Sequence, residues 1–556
     1  MFKIKSIKKS KIAAMATGAA VKIIIAVVCG ALVLTGTYGV IKHTVLPNTK
    51  ARTKALADYN GTDGAGGGDF ADYVKYTDDF EDGPVQSYFY GSLENAIADA
   101  NNNTTANALS DVSGAKAKIE VKEKDGGYIV KPMADCNLTT AQNISGTYAF
   151  DINGKTISLA AGAEFDIVNG ADITFRDLGN GKIFKSVTTS NTEKIISVPS
   201  TNTSSVSVTF LNGNYECENN GAKNSVVYCV SNKKCSTYIK NCNFYAHNSA
   251  ANAGAPRGAQ IYGNIKIDNG TFTAICEGSA TSKSQGIYLN NINEGKINNV
   301  KSIAYNYTQN QKSSGIVIAK LFTSTNPIVI NGGTFCGDAN QLYNSVINAG
   351  NFYSLSNMVY GETVINGGYF SGVHSGIQTN SISGSENNAV VINGGTFESC
   401  NHGGAYFTAK KTIVKNADLK CVNYTDLKAY ESYLKKCYGD RMSSQYPQGT
   451  KFGAFYIGSK NNDATVFMDN CKIKGTAVLS SNYDYMNTYL YLSNTSFTYL
   501  RLDGLNSKGY RGNVYLGKNG TFKTMASHAG GEQAPIDTET YKNVSFTPEY
   551  VAKNFN

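Results

Sequence analysis

Residues 328–337 read IVINGGTFCG, and the phrase returns as SVINAGNFYS at 345–354, TVINGGYFSG at 363–372 and VVINGGTFES at 390–399. A β-branched run leads into an Asn-Gly bend, and a large aromatic side chain follows the bend into a second run. Looser copies extend the phrase both ways. TFLNGNYEC, YIKNCNFYA and KIDNGTFTA come before it; IVKNADLKC, FMDNCKIKG, YLSNTSFTY and LGKNGTFKT come after it. The anchors behind the bend are Tyr215, Phe244, Phe272, Phe335, Phe352, Phe370, Phe397, Leu419, Ile473, Phe497 and Phe522, with a degenerate copy near Ile303. Three residues before the anchor stands Asn or Gly in every one of these copies except that of Phe352, which has Ala349. Asn and Gly tolerate a left-handed backbone, so a sharp bend is expected there.

The anchor step is as short as 17 residues, from Phe335 to Phe352. Strand, bend and strand with an inward aromatic, at that step, describe one turn of a parallel β-solenoid. A single turn leaves its apolar stripe open until the next stacks on it about 4.8 Å away. Equivalent side chains then form ladders, Phe on Phe inside and Asn on Asn at the bends. About 15 turns would make a rod ~70 Å long. The L-x-x-L-x-L signature of leucine-rich repeats is missing, and the variable step and lack of Trp argue against a propeller. The expected class is all-β, with the solenoid over 117–525, an insertion near 425–449, and a tail or cap over 526–556.

Upstream, Ser92 is placed to cap a helix, and Leu93, Ala96, Ile97 and Ala100 fall on one apolar face. Residues 92–116 therefore read as a short helical cap over an exposed sheet end. Residues 42–91, with GTDGAGGGDFAD and the acidic TDDFEDG, read as a flexible stalk. Ile23–Ile41 is an uncharged run, IIIAVVCGALVLTGTYGVI. As a helix it is about 28 Å long, close to the hydrocarbon thickness of a bilayer. No small-x-small cleavage pattern follows it. The expectation is a basic cytoplasmic segment 1–22 and a single-pass transmembrane signal-anchor helix 23–41. The body would then be extracellular at the cell membrane; secretion after signal cleavage is the alternative.

Charge agrees with that division. The formal net charge is +9, but ten of the 51 basic residues lie in 1–57, which has no Asp or Glu. The remaining 41 face 42 acidic residues, so the body is almost neutral and offers no footprint for nucleic acid. Twelve cysteines include no C-x-x-C pair. The tightest group, Cys217, Cys229, Cys235 and Cys242, admits a disulfide pair or a metal site. The plainer reading is four small apolar side chains.

On DINGKTISL at Asp151–Leu159 and the INGGTF copies, the chain resembles bacterial surface proteins with a right-handed parallel β-helix of the pectin-lyase-like, adhesin-like kind. That resemblance implies a fold shared by polysaccharide lyases, hydrolases, tailspikes and adhesin-like proteins, so function must come from a site. Hydrolases of this kind use paired carboxylates, and pectate lyases use calcium-binding Asp residues with an Arg base. Polygalacturonase-like motifs are absent, and the six arginines stand beside no Asp array within the INGG copies.

The nearest constellation is a histidine pair. VHSGIQ and NHGGAYF align, placing His374 and His402 at matching points after Phe370 and Phe397, with Glu398 and Asp338 nearby. They are candidates for an acid/base or metal pair; two solvated histidines in a loop ladder are the plainer reading. Asp151, Asp166, Asp172 and Asp177 are the place for calcium, though Asp is also a common turn residue. No other cofactor is expected. The expected function is binding or adhesion, with a polysaccharide or cell-surface glycan as partner. A polysaccharide lyase or glycoside hydrolase is the alternative.

Overall fold

The computed structural model describes residues 85–535, except 111–116, 125–126, 251–253, 278–282, 307–312, 322–326, 382–388, 400–402, 422–453, 475, 480–485, 504–511 and 530–531. The segments read as basic terminus, membrane anchor and most of the stalk lie outside the described residues, as does the insertion near 425–449.

The described chain is all-β apart from one helix, and its strands stack in three parallel layers, the arrangement of a solenoid. In the first layer one inward column runs unbroken: Val130, Phe150, Phe175, Phe210, Ile239, Ile267, Ile297, Ile330, Ile347, Ile365, Ile392, Val414, Met468, Leu492 and Leu516. Fifteen rungs at about 4.8 Å give a core ~67 Å long. Nearly every rung is fully buried.

The second layer carries the aromatic anchors. Tyr215, Phe244 and Phe272 are in register on successive turns, as are Phe335, Phe352, Phe370 and Phe397. The first group meets edge to face, with interplanar angles of 86° and 88°. The second group stacks, with ring centroids 4.9, 4.5 and 5.1 Å apart. The two groups also differ at the bend. In the Asn copies the residue three before the anchor is left-handed, as at Asn241 (φ 55°), Asn269 (φ 54°) and Asn470 (φ 52°). In the INGG-type copies the residue two before the anchor has a positive φ, at Gly333, Gly350, Gly368 and Gly395 (φ 114–141°), and Gly332 before Gly333 is positive as well (φ 103°). A Cβ on Gly368 would lie 3.3 Å from the Phe370 ring and 2.9 Å from the Gly350 carbonyl oxygen. Glycine there leaves room for each ring over its own bend.

Outside the bends the asparagine amides form their own ladder. Asn331 donates to Asn298, Asn348 to Asn331, Asn366 to Asn348 and Asn393 to Asn366, at 2.6–2.9 Å. The chain of amides resumes where Asn470 donates to Asn416 at 2.7 Å.

The degenerate copy differs from its sequence reading. Ser302, not Ile303, stands in register between Phe272 and Phe335. The left-handed Asn299 (φ 49°) occupies the place of Asn269, and the anchor is the third residue after it. The bend sets the register and the apolar residue does not. Ser302 is buried and its hydroxyl donates to the Gly315 carbonyl at 2.5 Å. A Cβ on Gly286 would meet that hydroxyl at 2.2 Å, so a small residue at each position brings the second and third layers close together.

The third layer runs from Gln142–Ile144 through Phe165–Ile167, Glu193–Val198, Ser225–Val230 and the first half of Arg257–Asp268, onward to Thr521–Ala529. That last strand passes residue 525 and pairs antiparallel with Glu532–Pro535.

At the N-terminal end, Gln86–Tyr90 is a strand paired antiparallel with Ile119–Lys124, so the last part of the stretch read as stalk belongs to the sheet. Its QSYFY alternation brings Tyr90 into the core. Leu93–Asn102 is the helix, and Ser92 accepts the Asn95 N–H at 3.3 Å. Leu93, Ala96, Ile97 and Ala100 are its buried face. Asn101 ties it to the first turn by donating to the Asn143 carbonyl and accepting from the Tyr148 hydroxyl.

Candidate functional site

The structure gives the candidate acids separate duties. Asp338 is buried, and its Oδ2 accepts both the N–H and the hydroxyl of Ser313, at 3.0 and 2.9 Å. It closes a turn. Glu398 points out of the second layer and pairs with Lys420 at 3.2 Å on the next turn. It also acts on Tyr369, whose hydroxyl is pushed up to about 12, first by burial and then by its neighbours, Glu398 included. Cys336, Tyr353, Ser371 and Glu398 share one register. Three steps of about 4.8 Å therefore separate Glu398 from the strand end before Asp338, ~14 Å in all. That exceeds the span across which two carboxyl groups flank a glycosidic bond.

His374 lies in the strand Tyr369–Asn380, but its side chain, like all of His402, is outside the described residues. The residues that follow them, Ser375 and Gly403, are paired on adjacent turns.

The four aspartates are also engaged. Asp177 is fully buried and accepts the N–H groups of Gly154, Gly179 and Gly181 at 2.7–3.0 Å. Asp151 is ion-paired with Arg176 at 3.0 Å. Asp166 accepts the Ser197 hydroxyl at 2.6 Å, and Asp172 sits in the first-layer ladder. Among the described residues no three His, Cys, Asp or Glu side chains are grouped to hold a metal. Cys217, Cys229, Cys235 and Cys242 are not joined in disulfides, and burial pushes the Cys217 thiol up to about 12 and the Cys235 thiol up to about 11.

Two arrangements escaped the sequence reading. The smaller is His247, whose Nε2 is 3.4 Å from Glu277 Oε1 between neighbouring turns; burial raises that carboxyl.

The larger is the outer face of the third layer. Cys229, Gln260, Tyr288, Val317, Gln341, Met358, Gln378, Tyr406 and Tyr456 form one outward column across successive turns. Its glutamines and tyrosines are half-buried. The Tyr406 and Tyr456 rings lie 4.8 Å apart. Beside Gln260 and Tyr288 stands Arg257, which donates from Nε to Gln285 at 2.7 Å and from Nη1 to Gln260. Its guanidinium lies 5.0 Å from the Tyr288 ring centre. Asn290 donates to the hydroxyls of Tyr262 and Tyr288 at 3.1 and 3.3 Å. The network is positioned by the narrow corner below it. A Cβ on Gly258 would lie 2.7 Å from the Gly286 carbonyl oxygen and 3.3 Å from Phe272 Cβ. A signal for this face exists in the sequence: RGAQI, QGIYL, SGIVI, SGIQT and GGAYF share a glycine at the same place and alternate inward and outward residues behind it.

The fold and face together define a class: a stacked parallel-strand repeat protein with an extended polar, tyrosine-bearing outer surface. Residues 2–61 match a family model described as a family of unknown function (DUF6133). The match stops before the repeats and lies outside the described residues. No curated protein and no solved structure matches the chain. Among the described residues no helix is long and apolar enough to cross a membrane.

Proposed function

We propose that the chain is an exported β-helix of the right-handed, pectin-lyase-like kind, anchored through residues 23–41, that binds carbohydrate along the outer face of its third layer. The observation that carries this reading is the in-register column in which half-buried glutamines and tyrosines are interspersed with Cys229, Val317 and Met358, with the Arg257 and Asn290 networks beside it. Planar amides and phenol hydroxyls match sugar hydroxyls, and tyrosine rings match the apolar faces of pyranoses. Side chains already held by hydrogen bonds lose little freedom when a ligand arrives. A long solenoid face suits a polymer better than a small metabolite.

Tyr288→Ala and Tyr406→Ala are each expected to weaken retention of a bound polysaccharide about tenfold, ~1.4 kcal/mol, without changing the thermal midpoint by more than a few degrees. Affinity electrophoresis of the full chain would read this, and unchanged retention in both variants would remove the face from consideration. A polysaccharide lyase or glycoside hydrolase is the second reading. The His247–Glu277 contact favours it, because it places a base beside a carboxyl that burial raises above its ordinary value.

A further inference from the structure

We propose that Arg257 forms an acidic-sugar subsite on this face: its guanidinium receives the carboxylate or sulfate group of a substituted residue in the bound glycan. The inference rests on the glycan-binding reading above and names the chemistry of its ligand.

The starting point is a charge without a counter-charge. Arg257 is half-buried, and no carboxylate lies within ion-pair distance of it among the described residues. Three other buried or half-buried cations are treated differently. Arg176 faces Asp151, Lys185 faces Glu193 and Lys194 faces Glu164, all at 2.9–3.3 Å. Arg257 instead rests on the side-chain oxygens of two neutral amides, Gln260 and Gln285, and on the Tyr288 ring. These groups orient a guanidinium without cancelling its charge. Burial works against that charge, so an incoming anion would relieve a standing cost.

The geometry leaves room for the anion. A guanidinium has five N–H donors in a rigid fork. Two are used here, and Nη2 has no partner among the described residues. The Nη1–Nη2 edge can therefore take two oxygens of one carboxylate or sulfate. Lys283 is exposed, lies two residues before Gln285, and also has no partner among the described residues. It adds a second positive charge on the neighbouring turn.

The flanking groups favour a sugar over an acidic peptide. Tyr262, Tyr288 and Asn290 present hydroxyls, an amide and ring faces beside the cation. Peptides that dock on β-structure take backbone hydrogen bonds from an open strand edge. Here the strands of this face are paired with the turns on both sides, so that edge is closed.

The test is calorimetric titration of the full-length chain in detergent with three hexamers: a uronic acid oligomer, a sulfated galactan oligomer and a neutral glucan oligomer. Wild type, Arg257→Gln, Arg257→Lys and Lys283→Gln are compared. At least one acidic hexamer is expected to bind about tenfold or more tighter than the neutral one, and which one identifies the anion. Arg257→Gln should weaken that binding about 10- to 100-fold and weaken neutral-hexamer binding far less, so that the preference for the acidic hexamer is lost. Arg257→Lys, which keeps the charge but loses the fork, should fall between. Lys283→Gln, an exposed substitution that cannot unfold the chain, should cost a few-fold at low salt and little at high salt. Equal affinity for acidic and neutral hexamers, or indifference to Arg257→Gln in a folded variant, would overturn the subsite while glycan binding stands. Failure of all three hexamers alongside Arg257-dependent binding of an oligoglutamate peptide would overturn both readings. Failure of every ligand would remove glycan binding and the subsite with it.

Discussion

Phe370→Ala is expected to destabilise the protein by about 3–5 kcal/mol. Phe370 is fully buried at the centre of the stacked series, 4.5 Å from Phe352 and 5.1 Å from Phe397. Its removal opens a cavity that the neighbouring rings cannot close, because each is pinned over its own glycine bend. Repeat arrays need not unfold in one step. The loss should therefore appear first as faster hydrogen exchange in 351–372 and 395–399, and then as a lower denaturation midpoint. Thr396→Ala, beside Phe397 and in register with Tyr369, is the control and should cost less than about 1 kcal/mol. Equal effects of the two substitutions would contradict the inward assignment of the anchor ladder.

Lys185→Met should cost about as much, ~3–5 kcal/mol, by leaving Glu193 buried without its cation. Both side chains are almost completely buried, 2.9 Å apart, and Lys185 shares its register with the inward Leu159 and Cys217. Burial pushes the Glu193 carboxyl up, but the hydrogen bonds from Lys185 and Gly162 and the Lys185 charge outweigh it and hold the carboxyl below its ordinary value. A carboxyl lowered by folding contributes stability above its unfolded pKa, about 4.3. That contribution is lost as pH falls through the folded value. In Lys185→Met only the hydrogen bonds from Gly162 and Thr189 still oppose burial, so the folded value should move above the ordinary one and the sign should reverse. The variant should lose stability as pH rises from about 4 to 7, where the wild type does not. Lys185→Met with Glu193→Gln should recover most of the loss at pH 7. Denaturation midpoints at the two pH values check all three statements, and a parallel pH dependence in wild type and Lys185→Met would contradict the pairing.

Much of this architecture could be read from residues because the bend and the anchor recur together. The left-handed asparagine is the more dependable of the two signs. Counting three residues on from Asn299 leads to Ser302, whereas searching for an apolar residue leads to Ile303, which faces outward. Stacking was legible in the INGG copies from Phe335 to Phe397, but the positive φ at the second glycine was not. It depends on where the ring lies. The third layer was harder to read. Its RGAQI and QGIYL phrases share only a glycine, and that glycine reports a close approach of two layers, not a bend. The alignment of VHSGIQ with NHGGAYF touched this phrase through its histidines and passed over the glutamine and tyrosine that point outward beside them. Arg257 looked isolated because its partners, Gln285 and Tyr288, lie a full turn away. Asp338 looked available because its burial depends on Ser313, 25 residues earlier.

The central claim is that the outer face of the third layer holds a glycan without cleaving it. The most direct measurement incubates the full-length chain with a polysaccharide panel, with calcium present, and follows both retention of polymer and new reducing ends. The account predicts retention of at least one polysaccharide, weakened in Tyr288→Ala, with no reducing ends above the protein-free control. Release of reducing ends that disappears in His247→Ala would contradict it and make the protein an enzyme.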